Sequence, residues 1–372
     1  MKRADQSVKR VELNQKPFAK ANLKADVFVA GIGTVGGELL RQVEPGSDLS
    51  EEFRLIGFCN SKLALINESG VQQTAFVSSA LNPRPVFATR WDKLIEQLIN
   101  IRRRNVQNLI FVDATGSREV ALLYTKLLDA GIHVVTPSKL ANTMPQRYFD
   151  ELVKPRENGA VFRYEAAAGA GLPVVQTIRT MVQNGDDIIR ISGVLSGTMT
   201  YLFGQLENGV SFSKAVKLAY EAGYTEPDPR DDLSGEDVAR KCLILARTAG
   251  LRLERESFEA EDQTPSALKE VSLDDFFKGL EEHDAFWEQK VAKAKEKGCV
   301  LRYVGTVERT GISVGVEAVP ANSPLGSLRG ADNQVSIRSR YYNNSPLIIQ
   351  GPGAGSEVTA QGVLADMRDV LG

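Results

Sequence analysis

Asp237 and Lys241 lie four residues apart in the run EDVARK at 236–241, so a helix there would stack them one turn above each other. A carboxylate beside an ammonium on a rigid helix can hold a proton at a chosen place and release it. The residues just before, YTEPDPRDD at 224–232, bring Glu226, Asp228, Asp231 and Asp232 together around two prolines. A loop so rich in carboxylates, facing the Asp237/Lys241 pair, would suit a small substrate that carries its own ammonium group. A capped surface helix with an ion pair worth about 0.3–0.5 kcal/mol accounts for the same residues. A divalent-metal site built from Asp228, Asp231 and Asp232 is a third reading, and its spacing matches no EF-hand loop.

The second chemical signal is GIGTVGG at 31–37, where Gly31, Gly33 and Gly36 form a GxGxxG after an apolar run. Gly31 allows the tight turn, Gly33 admits a pyrophosphate to the backbone, and Gly36 lets helix and strand pack closely. Thr34 and Val35 open the helix whose N–H groups would meet the phosphates. A plain glycine-rich turn between strand and helix is the alternative. After the next strand comes NSK at 60–62, where an NAD-selective site would carry an acid. Ser61 and Lys62 could instead receive a 2′-phosphate, so NADP is favoured. Thr115 and Ser117 in DATGS and Lys139 in TPSK each follow an apparent strand. At those ends open α/β sheets bind ligands, so Thr115 and Lys139 are cofactor candidates. Gly353, in GPGAG at 351–355, belongs to a second glycine-rich loop able to close over a cofactor.

These side chains need elements to hold them. Pro227 and Pro229 bar a helix interior over 225–232. Ser234 reads as the N-cap of a helix whose apolar face is Val238, Cys242, Leu245 and Ala249. Strands are expected over 25–31, 54–59, 108–113 and 132–136, alternating with helices over 91–101 and 118–130. Farther on, 161–165 is strand-like and feeds AAAGAGLP at 166–173, a run too small for an ordinary element. Its carbonyls suit a monovalent cation with Glu165 supplying charge, or it is a tight turn before a helix over 173–184. A strand over 188–195, a helix over 213–222, a hairpin of 300–307 with 312–319, and a helix over 357–370 complete the pattern. Residues 251–298 are charged, partly helical and free of recognisable chemistry. The sequence shows no internal repeat.

Composition narrows the classes. At 372 residues two domains are expected. A net charge of −2 gives no electrostatic reason for nucleic-acid binding. No apolar run approaches the ~20 residues that span a bilayer. The polar, basic start is no secretory signal. Cys59, Cys242 and Cys299 are widely spaced, which argues against disulfides and zinc and for a reducing, cytoplasmic setting. With only His133 and His283 available, each without motif company, acid–base chemistry falls to Lys, Asp or Glu.

Together these blocks resemble homoserine dehydrogenase: GIGTVGG, DATGS, TPSK, YEAAAGAGLP (164–173) and GYTEPDPRDDLSGEDVARK (223–241), in that order over roughly residue 26 to the end. The stretch around 60–63 is similar to the dehydrogenase part of bifunctional aspartokinase–homoserine dehydrogenases. No kinase sequence accompanies it, and residues 1–22 read as a tail or the remnant of a linker. The resemblance implies NAD(P)-dependent interconversion of L-homoserine and L-aspartate 4-semialdehyde, toward threonine and methionine. It makes Lys241 the proton donor and acceptor, Lys139 a residue at nicotinamide and substrate, and Asp237 a further carboxylate of the catalytic pocket. It assigns Glu226 to the amino-acid end of the substrate, with Asp232 beside it. It places a sodium ion on Glu165, Ala168, Ala170 and Leu172, although Ala166-Ala-Ala-Gly replaces the commoner Ala-Thr-Val-Gly. It also implies a homodimer formed through sheets. The fold expected is α/β: a Rossmann-type dinucleotide-binding domain over 23–158, an α+β substrate and dimerisation domain over 159–344, and a returning loop and helix over 345–372. Another amino-acid or semialdehyde dehydrogenase, or a non-catalytic NADP-sensing regulatory protein, are the rival readings.

Overall fold

The computed structural model describes residues 25–43, 47–71, 86–104 and 108–372. The tail or linker expected over 1–22 lies outside the described residues. Two sheets carry the chain. The first holds β1 (Ala25–Ala30), β2 (Phe53–Cys59), β3 (Leu63–Ile66), β4 (Val86–Ala88), β5 (Asn108–Asp113), β6 (His133–Val135) and β7 (Phe162–Arg163). Their order is β4-β3-β2-β1-β5-β6-β7. Strands β2, β1, β5, β6 and β7 run parallel, and β3 and β4 turn back antiparallel at one edge. Every residue of β1 is buried, as a parallel strand covered on both faces requires. The chain leaves β1 toward β2 on one side and returns to β5 on the other, so a crevice opens above the carboxyl ends of β1 and β5.

Helix Trp91–Arg104 covers one face with Leu94, Ile95, Leu98 and Ile101. The other face is covered by helix Thr34–Gln42 and by the C-terminal helix Ser356–Asp369, whose Ala360, Val363, Leu364 and Met367 share a core with Val27, Val29, Leu39 and Ile110. Arg368 grips Glu52 through two hydrogen bonds of 2.8 and 3.1 Å and ties that helix to the sheet.

The second sheet is antiparallel throughout. It comprises β8 (Ile188–Val194), β9 (Cys299–Glu308), β10 (Gly311–Pro320), β11 (Asp332–Ser339) and β12 (Leu347–Pro352), ordered β10-β9-β8-β11-β12. Helices Gly197–Glu207, Glu236–Thr248 and Asp284–Glu296 pack on β9. At Gly305 of β9 a Cβ would fall 2.3 Å from the Cys242 sulfur. The helix therefore lies flat on the strand there, with Val238, Cys242 and Leu245 buried and Lys241 turned aside.

Several expectations change. Pro229 is not in a loop: it opens a short helix, Pro229–Leu233, whose N-cap Asp228 accepts from the Arg230 N–H. Proline fits a first helical position because its missing N–H would be unpaired anyway. The long helix is capped not by Ser234 but by Gly235 at φ +72°, where a Cβ would sit 1.8 Å from the Tyr303 hydroxyl. Ser234 Oγ still accepts the Glu236 N–H at 3.2 Å. The helix expected over 118–130 breaks into Arg118–Ala121 and Tyr124–Asp129. Strand Phe162–Arg163 pairs with β6 in the first sheet, beyond the boundary drawn at 158/159. Within the expected returning loop, Leu347–Pro352 is an edge strand of the second sheet, and only the residues after it cross back.

Candidate active site

A cleft of about 930 Å³ lies between the two sheets. Its walls include Thr34 and Val35 from the first turn, Thr115 after β5, Lys139 after β6, and Gly353–Gly355 from the chain's return. Glu226, Asp231, Asp232, Asp237 and Lys241 form the opposite side. With Ala170 from the small-residue run, the sequence-predicted residues thus converge from six separate segments. Ser61 and Lys62 do not join this wall; they are exposed at the turn between β2 and β3, held by Asn60 Oδ1 accepting the Lys62 and Leu63 N–H groups. Ala168 and Leu172 are buried behind the wall.

The chemistry centres on one carboxylate. Asp237 Oδ2 is 2.8 Å from Lys241 Nζ, and its Oδ1 is 3.1 Å from Lys139 Nζ. Burial pushes the Asp237 carboxyl up, but the ammoniums of Lys241 and Lys139 outweigh it and hold the group well below the usual carboxylate range. Lys241 also donates to the Leu195 carbonyl at 2.7 Å, and its side chain is 12% exposed. An ammonium fixed by two acceptors and open on its remaining side presents a directed N–H to the cleft. The surface ion pair is thereby excluded as a description of this helix, since both partners face the cleft and a second lysine completes the group.

Asp232 plays a different part from a free ligand. Its Oδ2 accepts the Glu226 N–H at 2.8 Å, and its Oδ1 lies 2.8 Å from the Thr198 hydroxyl. Burial raises its pKa, and the charges of Glu226 and Asp237 add to the rise. Asp232 thus positions Glu226, which remains exposed to the cleft. Thr198 escaped the sequence reading because nothing in its neighbourhood marks it; its role depends on a contact 34 residues away. The divalent-metal reading fails on the same geometry. Asp228 is forked onto Arg230. Among the described residues no group of three or more His, Cys, Asp or Glu could hold a metal ion.

The nucleotide side fits its motif. Gly31 has φ +87°, and at Gly36 a Cβ would fall 1.8 Å from the Gly31 carbonyl oxygen. At Gly33 a Cβ would meet nothing within 4 Å, and helix Thr34–Gln42 has no side-chain cap. Open space in front of unpaired helix N–H groups is what a pyrophosphate needs. Thr115 lines the cleft, but its hydroxyl donates to Asp113 at 2.6 Å and accepts the Ser117 N–H. Ser117 caps the next helix, accepting from Val120 N.

The small-residue run forms a helical turn, Ala166–Gly169, followed by Ala170 at φ +54°. Both Glu165 oxygens accept helix N–H groups, from Val175 at 2.8 Å and Gln176 at 2.6 Å. The carboxylate is committed there, so a cation at this turn would depend on main-chain oxygens. The histidines and cysteines stand apart. His133 accepts the Val161 N–H, and burial lowers its pKa to about 4. Burial pushes the Cys59 and Cys242 thiols up to about 12, which removes them as nucleophiles.

Comparison with known proteins decides the family. The profile of Homoserine dehydrogenase matches residues 173–367, and that of Homoserine dehydrogenase, NAD binding domain, matches residues 31–165. The chain belongs to the homoserine dehydrogenase family. It is 34% identical to the homoserine dehydrogenase of Schizosaccharomyces pombe over 95% of this chain and 97% of that protein. It is 38% identical to the bifunctional aspartokinase/homoserine dehydrogenase of Haemophilus influenzae over 99% of this chain, spanning 45% of that relative. Among solved structures, a Candida auris protein of unknown function aligns with a TM-score of 0.84 and 34% identity, covering 93% of this chain and 98% of that one. Among the described residues no helix is long and apolar enough to cross a membrane.

Proposed function

We propose that this chain interconverts L-homoserine and L-aspartate 4-semialdehyde with a nicotinamide cofactor, NADP in preference to NAD. The observation that carries the reading is Asp237 bridging Lys241 and Lys139 opposite Glu226, in a cleft above the β1/β5 crevice. The first turn at Gly31, Gly33 and Gly36, with Thr34 and Val35, would hold the pyrophosphate, and Gly353 would close over the cofactor. A bound nicotinamide supplies the hydride in the reducing direction. Glu226, fixed by Asp232, receives the substrate ammonium. Lys241 then lies at the aldehyde oxygen, where negative charge grows as hydride arrives at carbon, and its N–H gives the proton that makes the hydroxyl. In the oxidising direction the same nitrogen takes that proton back. Asp237 holds both lysines in place, and Lys139 adds a second positive charge at the nicotinamide end.

The finer assignments follow the same reading. Ser61 and Lys62 receive the 2′-phosphate at the mouth of the crevice. Main-chain oxygens of Glu165, Ala168, Ala170 and Leu172 hold a monovalent cation such as sodium. The chain acts in the cytoplasm, in threonine and methionine biosynthesis, as a homodimer assembled through its five-stranded sheet. The direct test is absorbance at the nicotinamide band with L-homoserine and NADP. Turnover that needs both supports the proposal; tight NADP binding without turnover would favour a sensor instead.

A further inference from the structure

We propose that Asn333 is a positioning residue that links Lys241 to the glycine loop at 353–355, an inference that rests on the dehydrogenase reading above. Asn333 lies on β11 and is 1% exposed. Its Nδ2 donates to the Leu195 carbonyl at 3.2 Å, the same carbonyl that accepts from Lys241. A carbonyl can only accept, so the amide nitrogen must be the end that faces it. The other end, Oδ1, is buried without a hydrogen-bond partner among the described residues. Such an orphan acceptor costs stability, and an apolar side chain of similar size would avoid the cost. Packing alone therefore does not account for an asparagine here.

The second contact is with the loop. A Cβ at Gly353 would fall 1.9 Å from Asn333 Nδ2, 2.0 Å from its Cγ and 2.6 Å from its Oδ1. The carboxamide thus lies directly against Gly353, in the space a side chain there would fill. Leu195 follows β8 directly, and Ser196 caps the next helix. Its carbonyl is gripped by Asn333 from the β11 side and by Lys241 from the cleft side. Whatever fixes the 353–355 loop fixes the amide, the carbonyl and the Lys241 ammonium in turn. A cofactor seated against Gly353 would therefore order the proton donor before the substrate arrives.

The test uses five proteins: wild type, Asn333→Leu, Asn333→Ala, Gly353→Ala and the double variant Asn333→Ala/Gly353→Ala. Asn333→Leu should be at least as thermostable as wild type, yet its kcat should fall about fivefold to tenfold, the worth of one hydrogen bond. A merely structural residue would lower rate and stability together. Asn333→Ala leaves a cavity and is judged on rate alone: in the folded enzyme its kcat should fall by the same factor while its NADPH affinity holds. Gly353→Ala should weaken NADPH binding, measured by fluorescence titration, because its methyl meets the carboxamide. Combined with Asn333→Ala it should regain NADPH affinity while kcat stays at the level of Asn333→Ala alone. An active wild type whose kcat survives Asn333 substitution, or a Gly353→Ala defect identical in both backgrounds, overturns the proposal. A wild type inactive with L-homoserine and every nicotinamide cofactor overturns the dehydrogenase reading, and this role with it.

Discussion

One carboxylate shared by two ammoniums sets the chemistry of single residues in the cleft. Removing the charge of Asp237 leaves the Lys139 and Lys241 ammoniums repelling each other with no negative charge between them. Asp237→Asn should therefore lower kcat by about 10²-fold while leaving NADPH affinity within a few-fold. Steady-state rates paired with NADPH titration check this. Lys62→Ala addresses the cofactor. A lost charge-assisted hydrogen bond to a 2′-phosphate is worth about 1.5–3 kcal/mol, so NADP should weaken roughly tenfold or more while NAD is little changed. Equal losses for both cofactors would remove Lys62 from the phosphate site. Lys241, Asp237, Lys139 and Glu226 were legible as cleft residues because each sits at a place with a chemical signature: a helical spacing of four, a strand end, a carboxylate-rich loop. Thr198 and Asn333 were not. Each acts through a partner more than 30 residues away, and neither residue type is unusual where it stands.

Among the elements, the C-terminal helix Ser356–Asp369 does more than return the chain. Its Asp366, 3% exposed, accepts the Glu165 N–H at 2.6 Å and so holds the turn that lines the cleft. Burial raises the Asp366 carboxyl to about 8; the Glu165 N–H opposes this, the Glu165 charge adds to it, and Arg179 and Arg163 pull it down. A carboxyl held above its unfolded value of ~3.9 keeps its proton more tightly when folded. The stability it contributes is complete below pH ~3.9 and is lost as pH rises through about 8. Melting temperatures from pH 5 to 9 should therefore fall more steeply for wild type than for Asp366→Asn, which keeps the amide oxygen as acceptor. Parallel curves would show that Asp366 is not the group responsible. The helix itself was legible from its spacing, as were β1, β2, β5, the β9–β10 hairpin and the helix carrying Lys241. Strands β11 and β12 were not. Buried Asn333 and Gln334 blur the apolar pattern of β11, and the Pro and Gly residues at 351–355 made β12 read as loop.

At the scale of the whole molecule, the cleft exists only because the chain crosses between its sheets more than once. The parallel sheet supplies the nucleotide turn and Lys139, the antiparallel sheet seats the Glu236–Thr248 helix, and the loop after β12 closes the gap. A cofactor bridging such a cleft stabilises the folded chain by mass action. NADPH at a hundred times its Kd should add about 2.7 kcal/mol, read as a rise in melting temperature that NADH at equal concentration does not match. The division into a nucleotide-binding half and a substrate half could be read from the order of the motifs. Where the halves interlock could not, since β7 and β12 each lie beyond the boundary that local pattern suggests. Lys241 as carrier of the proton is put to the test by Lys241→Met, which keeps the apolar stem and deletes the charge. In a folded variant that binds NADPH as wild type does, kcat and kcat/KM for L-homoserine should fall together by ~10²–10⁴-fold. Near-wild-type turnover by that variant would contradict the claim.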